Sequence, residues 1–263
     1  MLWSAFRSID GSESMRRKVI DKYDGPTTLG IDVSRWQGRI NWPEVAADED
    51  EIRFAICRTG DGGGRDRRFT ENVEGARDAG LVVGSYHYLR ADRDGTTQAE
   101  IVADLWEHAG GFRPGTDIPP ALDLEAGIRT NLPGGVFEGP GRFVPLDVVV
   151  EEALEFLSQI ETFLGARPII YTGQAFHWWF SQGNPDLAAK FADWPLWLAS
   201  YSKRPRMPVD KGGQGLPWDQ WTFWQFTGSG EADGIRGDLD LDLFRGSRDE
   251  LIRWTSETVS RCD

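Results

Sequence analysis

Asp123 and Glu125 stand two residues apart in Ala121-Leu122-Asp123-Leu124-Glu125, where leucine alternates with acid. That period of two belongs to a strand and turns both carboxylates to one face, their Cα atoms about 6–7 Å apart at ~3.3 Å rise per residue. Two acids on a buried strand face repel each other and resist desolvation, so a fold keeps them mainly where the charge is used. The chemistry open to such a pair is proton transfer: one carboxyl held protonated to donate, another ionised to stabilise positive charge. A lone D-x-E is also at home on the solvated face of an edge strand, so the elements around it must decide.

Those elements alternate. Strands are predicted at 29–34, 53–60, 81–89, 118–125 and 167–172, each an apolar run bounded by turn residues. Helices are expected from Asn41, with Asn41 as cap and Pro43 in the first turn, over 69–79 stopped by Gly80, over 96–108 capped by Thr96 or Thr97, and over 146–164. The last carries Val149, Ala153, Phe156, Leu157, Ile160 and Phe163 at helical spacing. Beyond residue 172 the pattern changes: a short aromatic helix at 174–181, strands at 196–201, 220–226 and 238–244, and a closing helix at 247–255. Five β/α units followed by three strands with few helices predict an α/β fold, an irregular TIM-like barrel with a parallel sheet. Residues 1–28, with a short helix at 14–22, read as an N-terminal extension, 29–256 as the catalytic barrel and 257–263 as a tail.

In such a barrel chemistry sits at the C-terminal ends of the strands. Asp32 lies near the end of the first strand, Asp123 and Glu125 end the fourth, and Asp240 lies on the last, which closes beside the first. Tyr86 and Tyr88 share a face of the third strand, and Tyr171, Trp197, Tyr201, Trp224 and Gln225 fall near the ends of theirs. An acidic cleft with aromatic walls suits a glycosidase, with one carboxylic acid for the leaving oxygen, a carboxylate opposite and flat faces for sugars. Packing competes with each assignment. Trp197 and Trp224 also suit the barrel interior, Tyr86 and Tyr88 also suit packing, and His87, on the opposite strand face, reads as structural. Asp238 and Asp242 share a face with Asp240.

Composition narrows the partners. The 263 residues carry a net charge of −13 and twelve Trp, which argues against nucleic acid, whose phosphates need clustered Lys and Arg. Neither membrane insertion nor a signal peptide is expected. Cys57 and Cys262 are expected as free thiols, and no metal site or cofactor is expected.

Gly30-Ile31-Asp32-Val33-Ser34-Arg35-Trp36-Gln37-Gly38 with Ile40-Asn41-Trp42 resembles the opening signature of glycoside hydrolase family 25, the Chalaropsis-type lysozymes. Gly84-Ser85-Tyr86-His87-Tyr88, Leu122-Asp123-Leu124-Glu125, Ile170-Tyr171-Thr172, 196–201, Trp224-Gln225-Phe226 and 240–244 follow in the family's order, so the resemblance spans roughly residues 29–246. It implies cleavage of the β-1,4 bond between N-acetylmuramic acid and N-acetylglucosamine in peptidoglycan. The sequence does not fix the oligomeric state, and a monomer is the default expectation. The resemblance assigns Glu125 as general acid, Asp123 as its partner, which by like charge would raise the Glu125 pKa, and Asp32 and Asp240 as the aspartates of the first and last strands. Tyr86, Tyr171 and Trp197 match aromatics near the substrate. The family often has Asn where this chain has Asp242, so a more acidic mouth is expected. Residues 127–143 are longer than the family's usual connection and read either as a tolerated insertion or as a lid over the cleft, since they leave the strand at Glu125. A phage endolysin made in the host cytoplasm and acting on the wall is the expected setting. A chitinase-like glycosidase and a non-catalytic wall-binding or virion structural protein are the competing readings.

Overall fold

The computed structural model describes residues 23, 25–125, 135–137, 143–173, 184–201, 207 and 217–260. Its strands are β1 (Thr28–Val33), β2 (Phe54–Asp61), β3 (Gly64–Arg65), β4 (Val82–Tyr88), β5 (Ala121–Asp123), β6 (Gly135–Phe137), β7 (Phe143–Pro145), β8 (Ile169–Thr172), β9 (Leu196–Ala199), β10 (Phe223–Gly230) and β11 (Leu239–Phe244). Its helices are α1 (Trp42–Ala46), α2 (Phe69–Asp78), α3 (Gly95–His108), α4 (Leu146–Leu164), α5 (Pro185–Ala189) and α6 (Arg248–Glu257), with a 3-10 turn at Arg35–Gln37. Eight strands close a barrel in the order β1-β2-β4-β5-β8-β9-β10-β11, with β11 returning to β1.

Seven of these strands run parallel, but β11 is antiparallel to both β10 and β1. A wholly parallel sheet was the expectation. The reversal has a plain cause: only residues 231–238 join β10 to β11, too few for the crossover that a parallel pair needs. Asp240, near the start of β11, therefore faces Asp32, near the end of β1.

Strand alternation sorts the core into two layers. Phe54, Ile56, Ala121, Ile169, Phe223 and Phe244 fill the barrel, and Leu251 and Trp254 of α6 close its base. Leu29, Ile31, Val33, Leu122, Leu124, Ile170, Leu198 and Trp224 belong to the outer layer, with Val73, Trp106, Phe156 and Ile160 of the surrounding helices. Gly30 is needed inside, because a Cβ there would lie 2.2 Å from the Phe54 ring. Helix α4 buries Val149, Ala153, Phe156, Leu157 and Ile160 as its periodicity predicts, while Phe163 is exposed.

Local chemistry differs from expectation at several ends. Helix α3 is capped by Asp94, whose carboxylate accepts from the Thr97 amide, and not by Thr96 or Thr97. Asn41 precedes α1 without a side-chain capping bond. The fourth strand is only three residues long, so Glu125 lies two residues past its end. Within the long connection, β6 and β7 form an antiparallel hairpin against α4, with Val144 buried. The rest of that connection, the expected helices at 14–22 and 174–181, and Cys262 lie outside the described residues. Cys57 is a buried free thiol.

Candidate active site

Among the described residues, nine side chains meet in a cleft of about 190 Å³ at the mouth of the barrel: Asp32, Tyr86, Asp123, Glu125, Tyr171, Trp197, Tyr201, Gln225 and Asp240. Each arrives by alternation. Leu122 and Leu124 point to the helices, which turns Asp123 inward; Trp224 and Phe226 point outward, which turns Gln225 inward. Gly228 on β10 leaves the space, since a Cβ there would lie 3.0 Å from Asp240 Oδ1 and 3.2 Å from the Tyr201 hydroxyl oxygen. The volume is below the 300–1,000 Å³ typical of a whole ligand pocket.

Gln225 organises the floor. Its Oε1 accepts from the hydroxyls of Tyr171 and Tyr201, each at 2.9 Å, and its Nε2 donates to Asp32 Oδ2 at 2.7 Å. Trp197 stacks edge-on against Tyr171 and Tyr86 and donates its Nε1 to Asp242 Oδ1 at 2.8 Å. Counted as a bare carboxylate, the buried Asp242 has no partner for Oδ2; a proton there supplies one, the adjacent carboxyl of Asp32. Asp123 Oδ1 is likewise buried with no hydrogen-bond partner among the described residues.

Crowding holds these acids away from full ionisation. Burial, then the charge of Glu125, pushes Asp123 well above the usual carboxylate range. Burial, then Asp240, does the same to Asp32. Burial, then Asp32 and Asp240, raises Asp242. Asp240, half-buried beside Asp238, is raised to about 6, chiefly by burial. Glu125 is raised by burial and then by Asp240. The repulsion between Asp123 and Glu125 that the sequence led one to expect is present and acts on both carboxyls, and Asp240, across the cleft on β11, adds its charge to Glu125.

Two expected residues fall outside the cleft lining. Trp224 is wholly buried in the outer layer, where its Nε1 donates to the Ser200 carbonyl, because it neighbours the inward-facing Gln225 and must point the other way. Tyr88 lies at the end of β4, with the Arg90 guanidinium 5.0 Å above its ring. His87 is structural: its ring nitrogens lie 2.9 Å from Thr59 Oγ1 and 3.1 Å from the Gly62 carbonyl, and burial lowers its pKa to about 4. Asp242, which the sequence shows only as one of three like-facing acids, lies behind the cleft lining, hydrogen-bonded to Trp197. Among the described residues no group of three or more His, Cys, Asp or Glu side chains could hold a metal ion.

Residues 31–235 match the family model described as Glycosyl hydrolases family 25. The chain is 31% identical over 230 residues to Uncharacterized protein YegX of Escherichia coli (strain K12), covering 86% of this chain and 72% of that one. It is 29% identical over 252 residues to Lysozyme M1 of Streptomyces globisporus, covering 92% and 76%. The solved bacterial lysozyme of Streptomyces coelicolor superposes with a TM-score of 0.71 at 28% identity, covering 89% of this chain and all of that one.

Proposed function

The chain belongs to glycosyl hydrolases family 25, as a glycoside hydrolase of the lysozyme (muramidase) kind, and from that premise we propose that Glu125 is its general acid on peptidoglycan. The observation that carries this is the environment of Glu125. It is the carboxyl at the open end of β5, lifted by burial and by Asp240 so that it holds a proton for the glycosidic oxygen between N-acetylmuramic acid and N-acetylglucosamine.

The second acid acts through the substrate. Asp123 Oδ1, buried and without a partner, accepts the N–H of the sugar's N-acetyl group and turns its carbonyl oxygen toward the anomeric carbon. Glu125 gives its proton to the leaving oxygen as the C1–O bond breaks, and the acetyl oxygen closes on C1. Water then opens that ring, losing its proton to the Glu125 carboxylate. Asp32, held by Gln225, and Asp240 stabilise the positive charge that grows at the ring. Tyr86 and Tyr201 supply the sugar-facing walls, backed by Tyr171 and the buried Trp197.

Muropeptide mass spectrometry after digestion tests the assignment. New reducing-end muramic acid is expected, and Glu125→Gln is expected to abolish it while the protein stays folded; a Glu125→Gln variant that still cleaves overturns it. Proton NMR of the nascent anomer tests the route, since closure by the acetyl group retains configuration and an inverted product excludes it.

The biological setting is narrower and rests on the substrate alone: a lytic role of the endolysin kind, made in the host cytoplasm and reaching the wall through a membrane lesion. Expression with and without a separate pore-forming protein checks this, with lysis expected only when the pore is present.

A further inference from the structure

A second cleft, of about 490 Å³, opens beside the mouth and is lined by Arg35, Asp61, Gly64, Arg65, Arg90, Asp92 and Arg93. Among the described residues that line it, four guanidinium groups stand against the carboxylates of Asp61 and Asp92, with Asp104 paired to Arg65, which leaves a small positive excess on a chain of net charge −13. Arg90 is clamped to Asp61 through two bonds, 2.6 Å and 3.1 Å, and Arg65 pairs with Asp104. Arg35 and Arg93 make no ion pair among the described residues.

The cleft is built, not incidental. Buried Gln98 donates to the carbonyls of Arg90 and Arg93, both at 3.1 Å, and accepts from the Arg90 amide at 3.0 Å, fixing the loop that carries the arginines. Opposite, the β2–β3 turn is Gly62-Gly63, where a Cβ would lie 2.5 Å from Arg90 Cγ or 2.9 Å from Arg93 Nη1. Glycine at 62, with φ +57°, lets this turn pack against the Arg90 stem. The position is fixed as well. Asp61 is in register with Tyr88, and Tyr88 with Asp123, so two strand spacings, about 10 Å, separate this cleft from the acids.

We propose that this arginine cleft is a subsite for the carboxylates of the peptide stem that the substrate's muramic acid carries. The inference rests on the muramidase reading, which puts the sugar bearing the stem at the mouth. A carboxylate on a chain that begins at that sugar is within reach, and the planar fork of Arg93 or Arg35 binds it in two-point fashion.

The test compares kcat/KM, read from new reducing ends, on stem-bearing glycan, on the same glycan after the stems are removed by an amidase, and on stem-free glycan that keeps a phosphate-bearing wall polymer. The stem-bearing chain is expected to be preferred about tenfold, mainly through KM. Arg93→Glu and the double variant Arg35→Gln/Arg93→Gln are expected to lose most of that preference, as is the wild type at high salt. Variants that keep the full preference overturn the proposal, and so does an equal preference for the phosphate-bearing chain. Free stem peptide, titrated by NMR against wild type and Arg93→Glu, reads the subsite without cleavage. Arg93-dependent binding upholds the subsite even if no muramic reducing ends form, the result that would sink the muramidase reading alone; no binding to the wild type overturns the subsite.

Discussion

Asp123 and Glu125, which a strand's alternation sets side by side, end in unlike surroundings. Asp123 lies deep in the cleft floor among other acids, whereas Glu125 is only half-buried at the end of the strand, where Asp240 adds its charge. The pH profile separates these roles. Activity that needs a protonated Glu125 falls as pH rises through its raised pKa. Asp240→Asn removes the neighbouring negative charge, so the alkaline limb is expected to move to lower pH, and Asp123→Asn is expected to move it the same way. A profile unmoved by Asp240→Asn contradicts this. Asp242 supplies a second check. A carboxyl that keeps its proton is matched in shape and donor by an amide, so Asp242→Asn is expected to hold kcat within about threefold, whereas Asp32→Asn is expected to lose on the order of a hundredfold or more. Asp123 and Glu125 were legible because period-two patterning gives side-chain direction without coordinates, whereas Asp240 was singled out from Asp238 and Asp242 only by the family resemblance. Trp224 was misplaced because proximity to a strand end was weighed without its phase against Gln225.

Element order was legible for the same reason that element direction was not. Hydrophobic periodicity marks where a strand lies, but it reads alike in both directions, so only the length of the connection at 231–238 could reveal that β11 reverses. The α3 cap was missed because Asp94 precedes two threonines that look equally suitable. The base of the barrel offers the clearest element-scale test. Trp254 of α6 packs 5.3 Å from the Phe223 ring and 5.9 Å from that of Phe244, sealing the end away from the acids. Trp254→Ala is expected to cost about 3–5 kcal/mol in denaturant unfolding, with little change in KM for the material that remains folded. A loss below about 1 kcal/mol would show that α6 is not needed to close the barrel.

For the whole molecule, the acid cluster trades stability for chemistry. Between the ordinary Asp value of 3.8 and about 6, folded Asp240 keeps a proton that the unfolded chain has released, so stability falls as pH rises through that window. Asp240→Asn removes the penalty. Its melting temperature is expected to match the wild type below pH 4 and exceed it above pH 6, by on the order of 2 kcal/mol in unfolding free energy. Calorimetry across pH 3–8 checks the sign, and a variant less stable at pH 7 would contradict it. Composition foretold the acidic balance, but a net charge is a sum, and it hid the arginine cleft that the fold gathers from three separate segments.

The reversed last strand also decides where the polypeptide can be handled. Because Thr28 is in register with Phe244, the barrel's incoming and outgoing strands meet side by side at the base, opposite the mouth. Any passenger joined just ahead of β1 or just behind α6 therefore trails from the rear of the barrel. A bead or partner domain attached at either junction leaves the cleft facing outward, and an enzyme immobilised there is expected to keep its turnover on small soluble glycan fragments.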